Sequence, residues 1–273
     1  MANKYTNERY REITAYLKDH EKASVEELSE LLFVSPATIR RDLSDMQKLG
    51  MIQRTHGGAM LLDNINELNI FVRIEKNAKE KQHTATVALN HLPQFNTVFI
   101  DNSSTCLVLA QRIDFQYKTI FTNGLELAVM LSNKKHVKVI FLGGVIQYSS
   151  YSTDGPLAVS MLDNFKIDLM LSSCAGLHLD GTYESTQETM QIKKKAFERS
   201  TCHMLLADRS KFYINQPYRT EKLEDYDAIF TDAEDDVIAP FVDERIKIYN
   251  RKKKKHSFFL SSYFIRLCIK NPL

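Results

Sequence analysis

The chain has 273 residues, 44% of them apolar and 10% aromatic, which is enough to bury a substantial core and to divide into one small and one larger domain. Its formal net charge is +2, but residues 251–273 hold seven Lys or Arg and no acid, leaving about −5 over residues 1–250. Net charge therefore announces no nucleic acid, and any basic surface must be local. The opening "MANKYTNERYREI" lacks the apolar core of a signal peptide, and no run reaches the ~18 apolar residues of a membrane helix, so a cytoplasmic location without a membrane partner is expected. Cys106, Cys174, Cys202 and Cys268 form no CxxC pair and the histidines no HxxxH or HExxH, so the thiols are expected reduced and buried, with no metal site or cofactor.

Tyr10, Ile13 and Leu17 recur at helical spacing and predict a first helix ending near His20. "SVEELSELL" predicts a second: Ser24 with Glu27 three residues on is a capping box, and Leu28, Leu31 and Leu32 form the expected buried stripe. In "FVSPATIRRDL", Pro36 bars helical geometry from Ser35 and favours the first helical position, so Ser35 is the expected N-cap of a third helix running to Leu49 and stopped by Gly50. Only a few residues around Phe33 and Val34 separate helices two and three, the connection of a helix-turn-helix unit.

On a helical wheel with Ile39 at zero, Leu43 and Met46 fall within about 40° of it, whereas Ala37, Arg41, Ser44 and Lys48 fall at about 140–200°. One face is core and the other is small, hydroxylic and basic. Ala37 would allow close approach to a groove, and Arg40 and Arg41 offer forked donors to bases or phosphates. The bland alternative is a solvated face in which the two arginines pair with Asp42 and Asp45. "MIQRTHGGAML" then predicts a β-hairpin wing turning at Gly57-Gly58, with Arg54 and His56 on its exposed edge beside a sugar-phosphate backbone.

Val34-Ser35, Thr38 to Leu43, Arg54 and His56 to Ala59 together resemble the N-terminal signature of the DeoR family of bacterial transcriptional regulators, V-S-x-x-T-I-R-R-D-L followed by R-x-H-G-G-A. The resemblance implies a winged helix-turn-helix over residues 1–61 that reads double-stranded operator DNA, through Ser35, Pro36, Ala37, Thr38, Arg40, Arg41, Ser44, Lys48, Arg54 and His56.

Residues 62–77 lack periodicity and are expected to be a linker. Beyond Ala78, apolar runs such as "TVFID", "KTIFTN", "VKVIFLGG", "IDLMLSSCAG", "CHMLLADRS", "DAIFTD" and "RIKIYN" alternate with helical stretches, predicting an α/β domain over 78–250 around a mostly parallel sheet covered on both faces. The strand ends carry Asp101-Asn102-Ser103-Ser104-Thr105, Thr122-Asn123-Gly124, Gly143-Gly144, Ala175-Gly176, Asp208 to Lys211 and Thr231-Asp232. A ligand crevice lies at such ends in open α/β sheets, and these groups suit a small, polyhydroxylated, phosphorylated ligand. Singly, each loop could merely cap the next helix.

The larger domain also resembles the DeoR family sensor, which is similar in fold to ribose-phosphate isomerases and coenzyme A transferases. It matches in the Asp101 to Thr105 loop, Thr122-Asn123, Gly143-Gly144, Lys193 and Leu206 to Phe212, and departs at Ser103, where glycine is common, and at "SSCAG". The implied effector residues are Asp101, Ser103, Ser104, Thr105, Thr122, Asn123, Gly124, Gly143, Gly144, Lys193 and Lys211, with the two lysines brought to a phosphate. Lys194 and Lys195 are read as solvated. The multidomain α/β chain is thus expected to be a repressor of a sugar-metabolism operon, acting as a homo-oligomer, dimer or tetramer, and controlled by a phosphorylated sugar. No catalytic residue is assigned; the alternative is an isomerase-type enzyme using the same crevice. The basic and apolar tail 251–273 is expected to be a disordered extension, with an amphipathic contact as the other reading.

Overall fold

A computed structural model describes residues 4–48, 51–60, 70–147 and 149–250. Leu49, Gly50, residues 62–69 of the expected linker, and the tail 251–273 with Cys268 lie outside the described residues. The chain divides into two compact units, with the boundary between Arg73 and Ile74.

The first unit runs α1 (Lys4–His20), β1 (Lys22–Ser24), α2 (Val25–Leu32), α3 (Pro36–Lys48), β2 (Gln53–Thr55) and β3 (Gly58–Met60). Ile13, Leu17, Leu28, Ile39, Leu43 and Met46 are fully buried and make its core, so the wheel drawn from Ile39 places its apolar face correctly. Ser24 caps α2 as expected: its hydroxyl accepts from the Glu27 amide at 3.1 Å, and its own amide donates to Glu27 Oε2 at 2.7 Å. The stripe on α2 differs from expectation. Val25, Leu28 and Leu32 define the inward arc, and Leu31, about 60° outside it, is 43% exposed. Phe33 ends α2 in the left-handed region at φ 53°, uncommon for a bulky residue, and its amide donates to the Glu30 carbonyl. The turn is closed by Val34 N to Ser29 O at 3.2 Å and by the Ser29 hydroxyl donating to Val34 O.

The wing is three-stranded, with β3 in the middle. The register Thr55↔Gly58 leaves His56-Gly57 as the turn in place of Gly57-Gly58, and Gly57 takes φ +90°. Gly58 is instead a strand residue facing Ser24 of β1, where a Cβ would collide with the Ala23 carbonyl. Sequence reasoning found the hairpin but not β1, a three-residue strand too short to show alternation.

Helix α4 (Ile70–Glu75) spans the boundary, and the second unit continues with α5 (Ala78–Leu89). α4 falls inside the stretch expected to be a linker; Ile70 and Ile74 sit one turn apart, Ile70 is buried and Ile74 packs on the sheet-covering core. There follow β4 (Thr97–Ile100), α6 (Ser104–Ala110), β5 (Thr119–Thr122), α7 (Leu125–Ser132) and β6 (Lys138–Phe141). A hairpin of β7 (Val145–Gln147) and β8 (Ser152–Asp154) precedes α8 (Pro156–Met161) and β9 (Ile167–Ser172). A second hairpin, β10 (Gly176–His178) and β11 (Gly181–Glu184), leads to α9 (Gln187–Arg199) and β12 (Ser200–Leu206). β13 (Tyr218–Arg219), β14 (Ala228–Phe230), α10 (Asp235–Ile238) and β15 (Ile248–Tyr249) complete it.

The main sheet has the order β15-β14-β12-β9-β4-β5-β6, every neighbouring pair parallel. Alternate residues feed opposite faces: Val98 and Ile100 of β4 join the core under α5 and α6, while Phe99 joins Ile192 and Ala196 of α9. From β4 the chain winds outward to β6, then returns to β9 and winds the other way. β4 and β9 therefore flank a topological switch point, where a crevice opens outside the strand ends.

An ion pair ties α3 to α1. Arg9 of α1 donates from Nε to Asp42 Oδ2 at 2.7 Å and from Nη2 to Oδ1 at 3.0 Å, and Asp42 is only 4% exposed. Arg9→Met should lower the opening free energy of α3 amides, read by hydrogen exchange, by about 2 kcal/mol, the mild end for a broken buried pair because Arg9 keeps some solvent contact. Unchanged α3 protection would show that the pair holds nothing.

Candidate functional site

Two surfaces carry chemistry. On the first unit, α3 starts as its sequence requires: Ser35 Oγ accepts from the Thr38 amide at 3.2 Å and lies 2.9 Å from the Thr38 hydroxyl. Ser35, Pro36, Ala37, Arg40 and Arg41 are exposed, and Thr38 and Ser44 are half-buried on the same side. The side chain of Lys48 is outside the described residues. The solvated-face alternative paired the arginines with Asp42 and Asp45, and of these Asp42 is taken inward by Arg9. Arg40 makes only a long, exposed approach to Glu26 Oε1 at 3.7 Å, worth little. Arg54 and His56 are exposed on β2 and its turn. The arrangement is a helix with a small N-terminal end and two outward guanidiniums beside a basic wing, the shape and charge of a duplex-reading surface.

On the second unit, the switch point is occupied by a buried ion cluster. Lys193 Nζ lies 2.6 Å from Glu184 Oε1, 3.0 Å from Asp101 Oδ2 and 2.7 Å from the Ser173 carbonyl. An ammonium has three N–H groups, and all three are engaged. Asp101, at the end of β4, also accepts from the Ser103 amide at 3.0 Å and the Ser173 amide at 2.9 Å. Burial pushes the Asp101 carboxyl up, but Lys193 and the two donors more than offset it and hold it below the usual carboxylate range. Burial likewise pushes Lys193 down, and the two carboxylates drive it well above the ordinary lysine value. Asp101 and Lys193 are therefore charged at neutral pH, and Glu184 is the second carboxylate on the ammonium.

The loops expected at the site converge around this cluster to different degrees. Ser103 caps α6, accepting from the Cys106 amide at 3.2 Å, with Ser104 and Thr105 buried in the first turn. Thr122 Oγ1 accepts from the Gly124 amide at 3.0 Å, and a Cβ on Gly124 would meet Asn102 Cα at 3.1 Å, so the β4 and β5 loops touch. The β7–β8 hairpin is stitched over them: Thr153 N donates to Asn123 O at 2.9 Å, Asn123 Nδ2 to Thr153 O at 3.2 Å, and the Thr153 hydroxyl to Leu142 O. Gly143 and Gly144 lie two strands from Asp101, and their visible task is packing. A Cβ on Gly144, at φ +147°, would collide with the Asp154 carbonyl.

Lys194 is exposed, and Lys195 pairs with Asp163 and Glu198 on the surface, as the solvated reading had it. Lys211 is half-buried in the turn that Asp208 caps, and its Nζ makes no hydrogen bond or ion pair among the described residues. Burial pushes the Cys174 thiol up to about 12. Cys106 and Cys202 are buried and outside any disulfide as well, and no metal-binding group of His, Cys, Asp or Glu occurs among the described residues. Sequence reasoning missed Glu184 and Ser173. Glu184 closes a short antiparallel hairpin nine residues before Lys193, and no spacing rule links a strand-end carboxylate to a lysine on the next helix.

The family described as "DeoR-like helix-turn-helix domain" matches residues 9–64, and "DeoR C terminal sensor domain" matches residues 76–233. The chain is 32% identical over 228 residues to the HTH-type transcriptional regulator GolR of Listeria innocua, covering 82% of this chain and 90% of that protein. It is 33% identical to the L-fucose operon activator of Haemophilus influenzae, covering 81% and 89%. It is 29% identical to the glycerol-3-phosphate regulon repressor of Escherichia coli, covering 83% and 90%. Among solved structures, ribose 5-phosphate isomerase A of Methanocaldococcus jannaschii overlaps 50% of this chain and 55% of its own, with TM-score 0.35 and 14% identity. Among the described residues no helix is long and apolar enough to cross a membrane.

The ion cluster sets a stability test. Lys193→Met should destabilise urea unfolding of the sheet by about 3–5 kcal/mol, because two buried carboxylates lose their counter-charge. A loss below about 1 kcal/mol would mean that water reaches the cluster.

Proposed function

The chain belongs to the DeoR family of transcriptional regulators, DNA-binding proteins rather than enzymes, and from that premise we propose that it is a repressor of a carbohydrate operon whose operator binding is modulated by a phosphorylated sugar. The observation that carries the DNA half is the outward pair Arg40-Arg41 on α3, left unpaired by Asp42 because Arg9 has turned that carboxylate inward. Ser35, Pro36, Ala37, Thr38 and Ser44 line the approach to the groove, Lys48 follows on the same wheel face, and Arg54 and His56 contact the backbone.

The effector half rests on the crevice at the β4/β9 switch point, with Asp101, Ser103, Ser104, Thr105, Thr122, Asn123, Gly124, Gly143, Gly144, Lys193 and Lys211 as its residues. Relatives named for a fucose operon and a glycerol-3-phosphate regulon support a sugar or sugar-phosphate signal. One of those is named an activator and the other a repressor, so the direction of control varies among relatives. The protein works in the cytoplasm as a homo-oligomer, because a two-fold pair of winged helices reads half-sites about one helical turn apart, or multiples of it. Effector shifts the balance between arrangements that fit and misfit that spacing.

Arg41→Ala should weaken binding to a duplex selected from a random library by about 1–3 kcal/mol per half-site at fixed salt, with unchanged melting. Native affinity in that variant, measured by fluorescence anisotropy, would return Arg41 to the solvated surface.

A further inference from the structure

The seven strands of the main sheet all run parallel, so the turns that enter them gather at one end of the sheet, opposite the crevice. β15 and β6 are its two edges, six strand spacings or about 29 Å apart. The two corners of this end differ in sign. The turns entering β5 and β6, residues 115–118 and 133–138, hold four lysines, a histidine and no acid. They are bonded to each other by Tyr117 N to His136 O at 2.7 Å and Lys138 N to Lys118 O at 3.0 Å. Lys118 and Lys134 lie over the Phe95 and Phe115 rings, and none of the four lysines makes an ion pair among the described residues. Asp114, the nearest acid before them, caps its own turn by accepting from the Gln116 amide at 3.1 Å. In their midst Tyr117 is 77% exposed and stacks on His136 with ring centroids 5.2 Å apart. A large exposed ring bordered by charge has the make-up of an interface anchor and its rim.

At the other corner, the turns entering β14 and β15, residues 222–227 and 243–247, hold five acids against three bases. Arg245 joins the two turns, pairing with Glu224 in one and Asp243 in the other. Asp225 and Glu244 are exposed and make no ion pair among the described residues. A two-fold rotation about an axis normal to the sheet at this end reverses both the strand direction and the order of the row. The lysine corner of one copy then faces the acidic corner of the other, and the same contact is made twice. The crevices, at the far ends of the strands, stay uncovered. Duplex DNA or another polyanion would use the lysine corner alone, whereas a second copy satisfies both corners at once.

We propose that this end of the sheet is a self-complementary interface for a second copy of the chain, closed about that two-fold axis, with Tyr117 as the anchoring ring of each contact. This rests on the homo-oligomer reading above and adds where the copies meet and in which orientation. Exposed ion pairs contribute little affinity each, so the ring carries the contact and the charges select the antiparallel placement, the alternative being one that sets like corners together.

The test is sedimentation equilibrium of the full chain, with one charge reversal at each corner. Lys134→Glu/Lys135→Glu/Lys138→Glu and Asp225→Lys/Glu244→Lys alter exposed side chains and should melt as the wild type does. Either alone should raise the dimer dissociation constant by roughly tenfold or more, because both contacts then oppose like charges. An equimolar mixture of the two should recover pairing to within about threefold of the wild type, since each contact again joins opposite charges. Tyr117→Asn, a residue that tolerates the left-handed backbone found there at φ 61°, should weaken pairing by roughly tenfold or more without changing its salt dependence. If the wild type pairs but the reversals leave pairing unchanged, or their mixture recovers nothing, the copies meet elsewhere and the homo-oligomer reading stands without this interface. A lysine-corner reversal that lowers DNA affinity and leaves pairing intact would overturn the proposal in favour of a polyanion. A wild type that stays monomeric throughout would overturn both readings.

Discussion

A single ammonium group closes the crest of the larger domain. Lys193, carried in by α9, joins the end of β4 through Asp101, the end of β9 through the Ser173 carbonyl, and the end of β11 through Glu184. β4 and β9 are paired by their ladder, but the chain leaves them for helices on opposite faces of the sheet, and the ammonium ties the two departing ends together. An ion cluster there is a poor source of net stability, since desolvation consumes most of its attraction, but it fixes position: any displacement leaves a buried charge uncompensated. The neighbouring loops inherit that precision. Ser103 is aimed by the same carboxylate that holds Lys193, and the β5 loop is locked against the β4 loop at Gly124.

The same logic recurs on a smaller scale in the first unit. Arg9 and Asp42 tie α1 to α3, and in doing so decide which charges of α3 face outward. An acidic residue beside two arginines reads in one dimension as their neutralising partner. In three dimensions Asp42 lies about 100° round the helix from Arg41 and about 60° from Ile39, on the edge of the buried face, where the long side chain of Arg9 reaches it from another helix. Burying the acid is what leaves the reading surface basic in a chain whose first 250 residues are net acidic.

Much of the architecture was legible because it depends on local rules. The capping box at Ser24, the Ser35-Pro36 start of α3, and the core arc of Ile39, Leu43 and Met46 are written within a few residues of each other, and the seven apolar runs named from the sequence are the seven strands of the main sheet. What was hidden depends on partners far along the chain. β1 exists only because β3 supplies its ladder, Leu31 is outward because Val25 sets the arc, and α4 folds where polarity suggested a linker because Ile70 and Ile74 have surfaces to cover. The site shows the same division: Asp101 and Lys193 were readable as residues that matter, but the partner that changes their meaning, Glu184, lay in a hairpin no motif marks. With Glu184 in place, Lys193 ceases to be a free cation.

In the proposed function, a ligand bound at the crevice of the second unit changes the DNA affinity of the first. The direct measurement is a fluorescence-anisotropy titration of a library-selected duplex bound to the full chain, repeated across sugar phosphates at fixed ionic strength. At least one sugar phosphate should change operator affinity fivefold or more, the coupling expected of two linked sites. Affinity that stays constant across the whole panel, while the protein binds one of those compounds, would contradict the account by showing a ligand that occupies the crevice without speaking to the DNA.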